Sequence, residues 1–360
     1  MVTTGRRRGS RRGIGRRLLL VGCCAVLAGV AAYAWQLRGI VANSAAGDRV
    51  RGTYLQDPET ADRTASAVLD GIVREAEADP GLRARQAAPR RNTNWRAGGW
   101  RPSDPLVARP AAGEPTVGAL FSPGSDGDPE HHCSGVVVHS PAGDLVATAA
   151  HCVYRAALGF RTNLAFVPGY RDGQAPYGVW VPTRIDVDPR WTEDQDPDYD
   201  VAFLRLRRPG RPGEELEDVT GAETLRFDAE LPAPARLVGF PNTAEQSLEC
   251  FNTARAEGPT QLRLDCADVP NGTSGGPVLT DGHALIGVIG GRDGGGDEKT
   301  SYSSRFGEGV RALYERAIMG PANPGRRQAA PPPGQGQGPG QGPVQGAAPA
   351  QGPGQAPARR

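Results

Sequence analysis

The sequence predicts an all-β fold over residues 116 to about 318, closed by one C-terminal helix. The first observation is a series of short apolar runs: "VGALF", "SGVVVHS", "LVATAA", "LAFVPGY", "VAFLRL", "ARLVGF", "LRLDC", "GPVLT" and "ALIGVIG". Each is bounded by Gly, Pro, Asp or Asn, the pattern of many short strands in a barrel or sandwich. The second is length, since about 200 residues suffice for a sizeable core. The third is "VRALYERAIM" at 310–319, whose apolar spacing is helical.

The flanking segments read differently. Residues 1–17 carry seven arginines and no acid, and Leu18–Trp35 is then free of charge. A basic flank before an apolar run marks export. The run at 18–35 is either a transmembrane anchor or a cleaved signal peptide, and either way the remainder faces outward. Residues 36–114 read as a stalk and linker with one amphipathic helix, because "ADRTASAVLDGIVREAEA" at 61–78 repeats apolar residues at helical spacing. That helix either packs on the main domain or serves as a spacer. The region of short apolar runs then spans 115–319. From 320 to 360 the chain is Pro, Gly, Gln and Ala, too poor in apolar side chains to fold, and so is expected to be disordered.

Charge excludes one class of partner. With 41 basic and 40 acidic residues the net charge is +1, which gives no reason to expect nucleic acid. Six cysteines suit an exported chain. Cys23 and Cys24 fall in the apolar run, which leaves Cys133, Cys152, Cys250 and Cys266. These permit two disulfides; a metal site with His131, His132 and His151 is the alternative, but the spacing is not that of a zinc ribbon or finger. No metal and no cofactor is expected.

"NGTSGGPVLT" at 271–280 surrounds one hydroxyl with unusual backbone freedom. Such a loop is either a plain hairpin turn or the mount for a nucleophile. A serine nucleophile needs a base, an acid to orient the base, and donors for an oxyanion. Of His131, His132, His139, His151 and His283, only His151 has a telling context, at the end of a strand and beside Cys152 in "VATAAHCV". "DPDYDVAFLRL" places Asp200 at the mouth of an apolar strand, where a lone acid is ordinarily just a turn residue. The order His151, Asp200, Ser274, with gaps of 49 and 74 residues, changes that reading.

"TAAHC", "DYDVAFLRL" and "GTSGGPV" together resemble the trypsin/chymotrypsin-like serine peptidases, with "CSGVVV" as the strand before the histidine. "TVGALF" looks more like the start of bacterial exported, glutamyl-endopeptidase-like members. The resemblance covers roughly residues 116–318. It implies two six-stranded antiparallel β-barrels with the site between them. It also implies His151 as general base, Asp200 as its orienting partner, Ser274 as nucleophile, and the N–H groups of Gly272 and Ser274 as the oxyanion hole. Cys133–Cys152 would staple the histidine loop, and Cys250–Cys266 the segment before the nucleophile. Thr273 stands where digestive members carry an aspartate that pairs with a newly cut N-terminus, so that activation device is not expected. The sequon "NGT" at 271–273 is read as coincidence, since a glycan there would obstruct the site.

The function expected is an exported serine endopeptidase, membrane-tethered or secreted, with a protein or peptide as substrate and a monomer as the working unit. If uncleaved, the N-terminal segment makes the membrane a partner. A peptidase-fold binding protein that has lost catalysis and an esterase on the same residues are the competing readings. The complete triad weighs against the first, and the acid-before-serine order weighs against an α/β-hydrolase site. For the primary pocket, the resemblance to trypsin-like enzymes makes Asp268, six residues before Ser274, the pocket floor and implies a preference for basic residues. Gly290, Gly291 and Arg292 are expected to line the opposite wall, where Arg292 would neutralise Asp268 or favour an acidic substrate residue.

Overall fold

The computed structural model describes residues 24–31, 33, 38, 41–76, 100–124 and 128–319. Expectations for residues 1–17, 77–99 and 320–360, and for most of 18–35, lie outside the described residues. Among the described residues no helix is long and apolar enough to cross a membrane.

The first half of the domain is a seven-stranded antiparallel sheet. Its strands in chain order are β2 (Thr53–Leu55), β4 (Val117–Pro123), β5 (Pro129–Val138), β6 (Leu145–Thr148), β9 (Ala165–Pro168), β10 (Val181–Val187) and β11 (Ala202–Arg207). They neighbour one another in the order β2-β10-β11-β6-β5-β4-β9. A smaller sheet joins β1 (Ser44–Ala45) to the hairpin of β7 (Tyr154–Arg155) and β8 (Gly159–Arg161). The second half is built from β13 (Ala233–Gly239), β14 (Leu248–Glu257), β15 (Gln261–Asp265), β16 (Pro277–Thr280), β17 (Ala284–Val288) and β18 (Thr300–Ser304). Two short strands extend it: β3 (Arg109–Pro110) on β14, and β12 (Thr224–Leu225) in parallel on β17. Without β2, β3 and β12, each half keeps six strands, the architecture that the sequence led one to expect.

Of the twelve strands in these two six-stranded sets, three were not visible as apolar runs. In β14 burial alternates residue by residue, so half the strand is polar. In β10 the central Thr183 and Arg184 interrupt the apolar positions. In β18 the buried positions carry Thr300, Ser301, Ser303 and Ser304, of which Thr300, Ser303 and Ser304 satisfy their hydroxyls internally. A hydrophobicity pattern cannot register a strand whose core side is hydroxylic.

Apolar side chains form a core within each half and a third between them. Leu120, Val137, Phe160, Phe166, Trp180 and Leu204 fill the first half. Leu237, Cys250, Leu262, Leu264 and Ile286 fill the second. Val136, Leu145, Phe203, Val238, Leu279 and Phe306 belong to the cluster that joins the two. The closing helix Glu308–Met319 packs on this joining cluster through Val310, Leu313 and Ala317. Burying each such side chain contributes on the order of 1.5–3 kcal/mol.

The expected stalk requires a correction. Residues 44–76 and 103–114 of that segment are part of the domain. Strand β1 pairs with β8, β2 with β10 and β3 with β14. The amphipathic helix runs over Pro58–Ala76, starting earlier than its apolar pattern, because Asp57 accepts from the Thr60 N–H at 2.8 Å and caps it. It seats Ala61, Ala65 and Val68 in the joining core. The physical reason is edge protection: β8, β10 and β14 would otherwise present unpaired backbone groups to water.

Candidate active site

Strand β6 delivers the histidine. It ends at Thr148, and His151 follows on a single helical turn, Ala150–Val153. The turn is tied back to β5 by the Cys133–Cys152 disulfide and by the Thr148 hydroxyl donating to the Ser134 carbonyl at 2.7 Å. Asp200 lies between a 3-10 turn, Pro197–Tyr199, and β11. Its carboxylate is fully buried, while the His151 side chain is 29% exposed.

Three donors converge on that carboxylate. The His151 backbone N–H donates to Oδ1 at 2.8 Å, and His151 Nδ1 to Oδ2 at 2.7 Å. The Gly291 N–H donates to Oδ2 at 2.8 Å. A carboxylate can only accept, so the neutral imidazole carries its proton on Nδ1 and leaves Nε2 as a free lone pair. A Cβ at Gly290 would meet Asp200 Oδ2 at 2.8 Å and the Ala149 methyl at 3.1 Å, so only glycine lets this strand end lie against the pair.

The Ser274 loop is pinned by its carbonyls. Asn271 C=O accepts from the Asn242 N–H at 2.9 Å, and Thr273 C=O accepts from the Gly276 N–H at 2.9 Å. In a trans peptide the next N–H points the opposite way. The amides of Gly272 and Ser274 are therefore turned out of these bonds, and among the described residues neither donates a backbone hydrogen bond. Gly272 has φ +97°, and a Cβ there would meet Asn242 N at 2.2 Å. The Ser274 hydroxyl belongs to a half-buried residue. The loop sits against the histidine strand, because a Cβ on Gly275 would meet Thr148 Oγ1 at 2.1 Å and Ala149 N at 3.0 Å. The structure thus brings His151 and Asp200 into direct contact and lays the Ser274 loop beside them.

Two supporting residues escaped sequence reasoning. Ser134 is wholly buried; its Oγ accepts from Phe240 N at 2.7 Å and donates to Gly272 C=O at 3.0 Å, while its N–H donates to Ser274 C=O at 2.7 Å. It braces the nucleophile loop from the first half of the domain. Ser304 accepts from Asp200 N at 3.1 Å and donates to Pro197 C=O at 2.9 Å. Both are single serines without a motif; for Ser134 its place directly after Cys133 was the only available signal.

The specificity residues fare differently. Asp268 is exposed, with its backbone in the left-handed region at φ +59°, so its carboxylate lacks the desolvated setting that a basic pocket requires. Arg292 is ion-paired with Glu257 at 3.2 Å and sits over the Tyr302 ring, rather than neutralising Asp268. Gly291 bonds Asp200 and, with φ +81°, turns the chain toward Gln261, whose Oε1 accepts from Arg292 N at 3.1 Å. The Thr273 side chain is buried and donates to Pro270 C=O at 2.8 Å, which closes the loop locally without an ion pair.

Both expected disulfides are present, Cys133–Cys152 and Cys250–Cys266. Ligand-capable atoms of Cys133, His151 and Cys152 lie within 4.8 Å of one another. With both sulfurs bonded to each other no thiolate is left, and the cluster offers a metal only the imidazole.

Known proteins resemble this chain in sequence and fold. Residues 133–288 match the family model of the trypsin-like peptidase domain. An extracellular metalloprotease of Bacillus subtilis (strain 168) is 29% identical over 109 residues, 30% of this chain. The chain spans only about a third of that curated relative's length, 33%. Among solved structures, the protease Anisep from Arthrobacter nicotinovorans has 25% identity and a TM-score of 0.53, covering 59% of this chain and 100% of its own. The thermostable serine protease AL20 from an extremophilic microorganism has 24% identity and a TM-score of 0.51, covering 57% of this chain and 97% of its own. Over residues 133–288 the chain is therefore similar to the trypsin-like peptidase domain, and it shares the chymotrypsin-like fold of these proteases.

Proposed function

We propose that the protein is an exported serine endopeptidase. The observation that carries the reading is the His151 Nδ1–Asp200 Oδ2 bond of 2.7 Å, made by a buried acid to a half-exposed histidine beside the Ser274 loop. Ser274 Oγ attacks the scissile carbonyl while His151 Nε2 takes its proton. Asp200 holds the tautomer and stabilises the imidazolium that forms. The Gly272 and Ser274 N–H groups meet the oxyanion. His151 then gives the proton to the leaving amine, and water releases the acyl group by the same path. The missing ion pair at Thr273 supports a domain that works without N-terminal processing. Two disulfides and the arginine-led N-terminus support a location outside the cytoplasm, tethered or secreted, with protein or peptide as substrate.

A fluorophosphonate probe tests this directly. Covalent labelling mapped to Ser274, together with cleavage of a denatured protein substrate, is the expected result. A purified, folded protein that neither labels nor cleaves is the silent binding protein instead. Labelling accompanied by ester hydrolysis alone is an esterase.

A further inference from the structure

The chain pairs its interior arginines with acids. Arg205 meets Asp144 at 3.2 Å, Arg184 meets Asp186 at 2.7 Å, and Arg236 lies between Glu114 and Glu249. Arg155 and Arg161 break this pattern. Among the described residues neither guanidinium has a hydrogen bond, an ion pair or a ring contact, and Arg161 Nε is buried without any partner.

Their placement follows from the hairpin that leaves the histidine turn. Tyr154 pairs with Phe160 and Arg155 with Gly159. Side chains of paired residues share a face, and so do residues two apart. Tyr154 and Phe160 therefore share one face, where their rings meet edge-on at 5.0 Å inside the core. Arg155 and Arg161 share the other as diagonal neighbours. Strand β1 backs this hairpin: Ser44 is in register with Arg161, and Gly159 approaches Ala45 too closely for any side chain. The two cations are thus held together by a rigid support. Burial lowers the pKa of each, Arg155 lowers that of Arg161 further, and both arginines add to the effect of burial in lowering that of nearby His132, which also senses His151. Two half-buried cations with no counter-charge among the described residues lack there the partner that makes such burial favourable.

We propose that the Arg155/Arg161 face is a carboxylate subsite flanking the histidine loop, which selects Asp or Glu in the first few residues on the leaving-group side of the scissile bond. This rests on the serine-peptidase reading. His151 hands a proton to the departing amine, so the departing chain passes the histidine loop and the hairpin that extends it. A guanidinium pair gives a carboxylate two charge-assisted donors in a fixed frame.

The test is a peptide-library cleavage profile of the folded, disulfide-bonded protein, followed by kcat/KM on one cleaved peptide carrying Glu or Gln downstream of the cut. Enrichment of Asp and Glu on that side is expected, with about a tenfold advantage for Glu over Gln that shrinks at high salt. Arg155→Gln and Arg161→Gln should each remove most of that advantage while leaving Gln-peptide turnover near that of the parent. Arg155→Glu should turn the preference toward Lys and Arg, a gain that mere destabilisation cannot produce. Cleavage without a downstream charge preference, or with one that all three variants retain, overturns the subsite while the peptidase reading stands. Absence of any cleavage overturns both.

Discussion

His132 Nε2 bonds the carbonyl of Cys152 at 3.0 Å, which sets an imidazole beneath the turn that carries His151. A carbonyl only accepts, so Nε2 bears the proton and Nδ1 accepts from the Ser122 hydroxyl at 3.1 Å. Both ring nitrogens are used in the neutral form. Burial first, and then the charge of Arg161, lower its pKa from 6.5 to about 3. The unfolded chain therefore takes up a proton below about pH 6.5 that the folded chain refuses until about pH 3. The stability held above pH 6.5 is lost progressively as pH falls across that window. Thermal melts from pH 7 to pH 4 should show this loss, and His132→Phe should flatten it. Parallel curves for parent and variant would remove His132 from the account.

Ser274→Ala should lower kcat by roughly 10⁴-fold or more without changing the melting temperature by more than a degree or two. His151→Ala should cost about as much, since the residues act as a unit. Asp200→Asn should keep the fold but lose roughly 10⁴-fold, because an amide cannot enforce the Nδ1–H tautomer. Retained proteolysis in purified Ser274→Ala would end the serine mechanism.

Ser134→Ala tests the brace. It removes one hydroxyl that serves Phe240 N and Gly272 C=O, leaving buried groups unpaired at a cost of about 1–3 kcal/mol. Because the same hydroxyl fixes Gly272, kcat should fall more than KM rises. Equal changes in both constants would mean that Ser134 matters to the fold alone.

Gly290→Ala drives a methyl into Asp200 Oδ2, which its Cβ would meet at 2.8 Å. The expected result is a folded protein with reduced kcat and weakened fluorophosphonate labelling. Asp268→Ala is the contrasting surface change. With its carboxylate exposed, the variant should leave the residue preference upstream of the cut unchanged, and a shift away from Arg and Lys would restore the basic-pocket expectation.

Intact-mass analysis after alkylation without reductant should find none of Cys133, Cys152, Cys250 and Cys266 modified. Cys250→Ala with Cys266→Ala should cost about 3 kcal/mol in the chain-entropy account of a loop of this size. Loss of activity beyond that loss of stability should be confined to the Cys133–Cys152 pair, which holds the histidine turn.

The sequence by itself determined the all-β class, the three candidate motifs and their order, while the cysteine partners came from the family resemblance that those motifs carry. These are local or additive properties: apolar runs between turn residues, and short strings such as "TAAHC" and "GTSGG" that keep their meaning wherever they fold. Tertiary structure alone decided the rest. It recruited residues 44–76 and 103–114 into the domain, because the need to cover an edge strand or an apolar face belongs to the folded sheets and not to the segment that answers it. It made strands of hydroxyl-rich and alternating stretches such as β18 and β14. It exposed Asp268 and paired Arg292 with Glu257, a choice set by loop path that an offset from Ser274 does not encode. It placed Ser134 under Gly272 across 138 residues of sequence, and set Arg155 and Arg161 on one face of a hairpin with no acid paired to them among the described residues. Contacts of that span depend on how two sheets close on each other, and no periodicity along the chain carries that information.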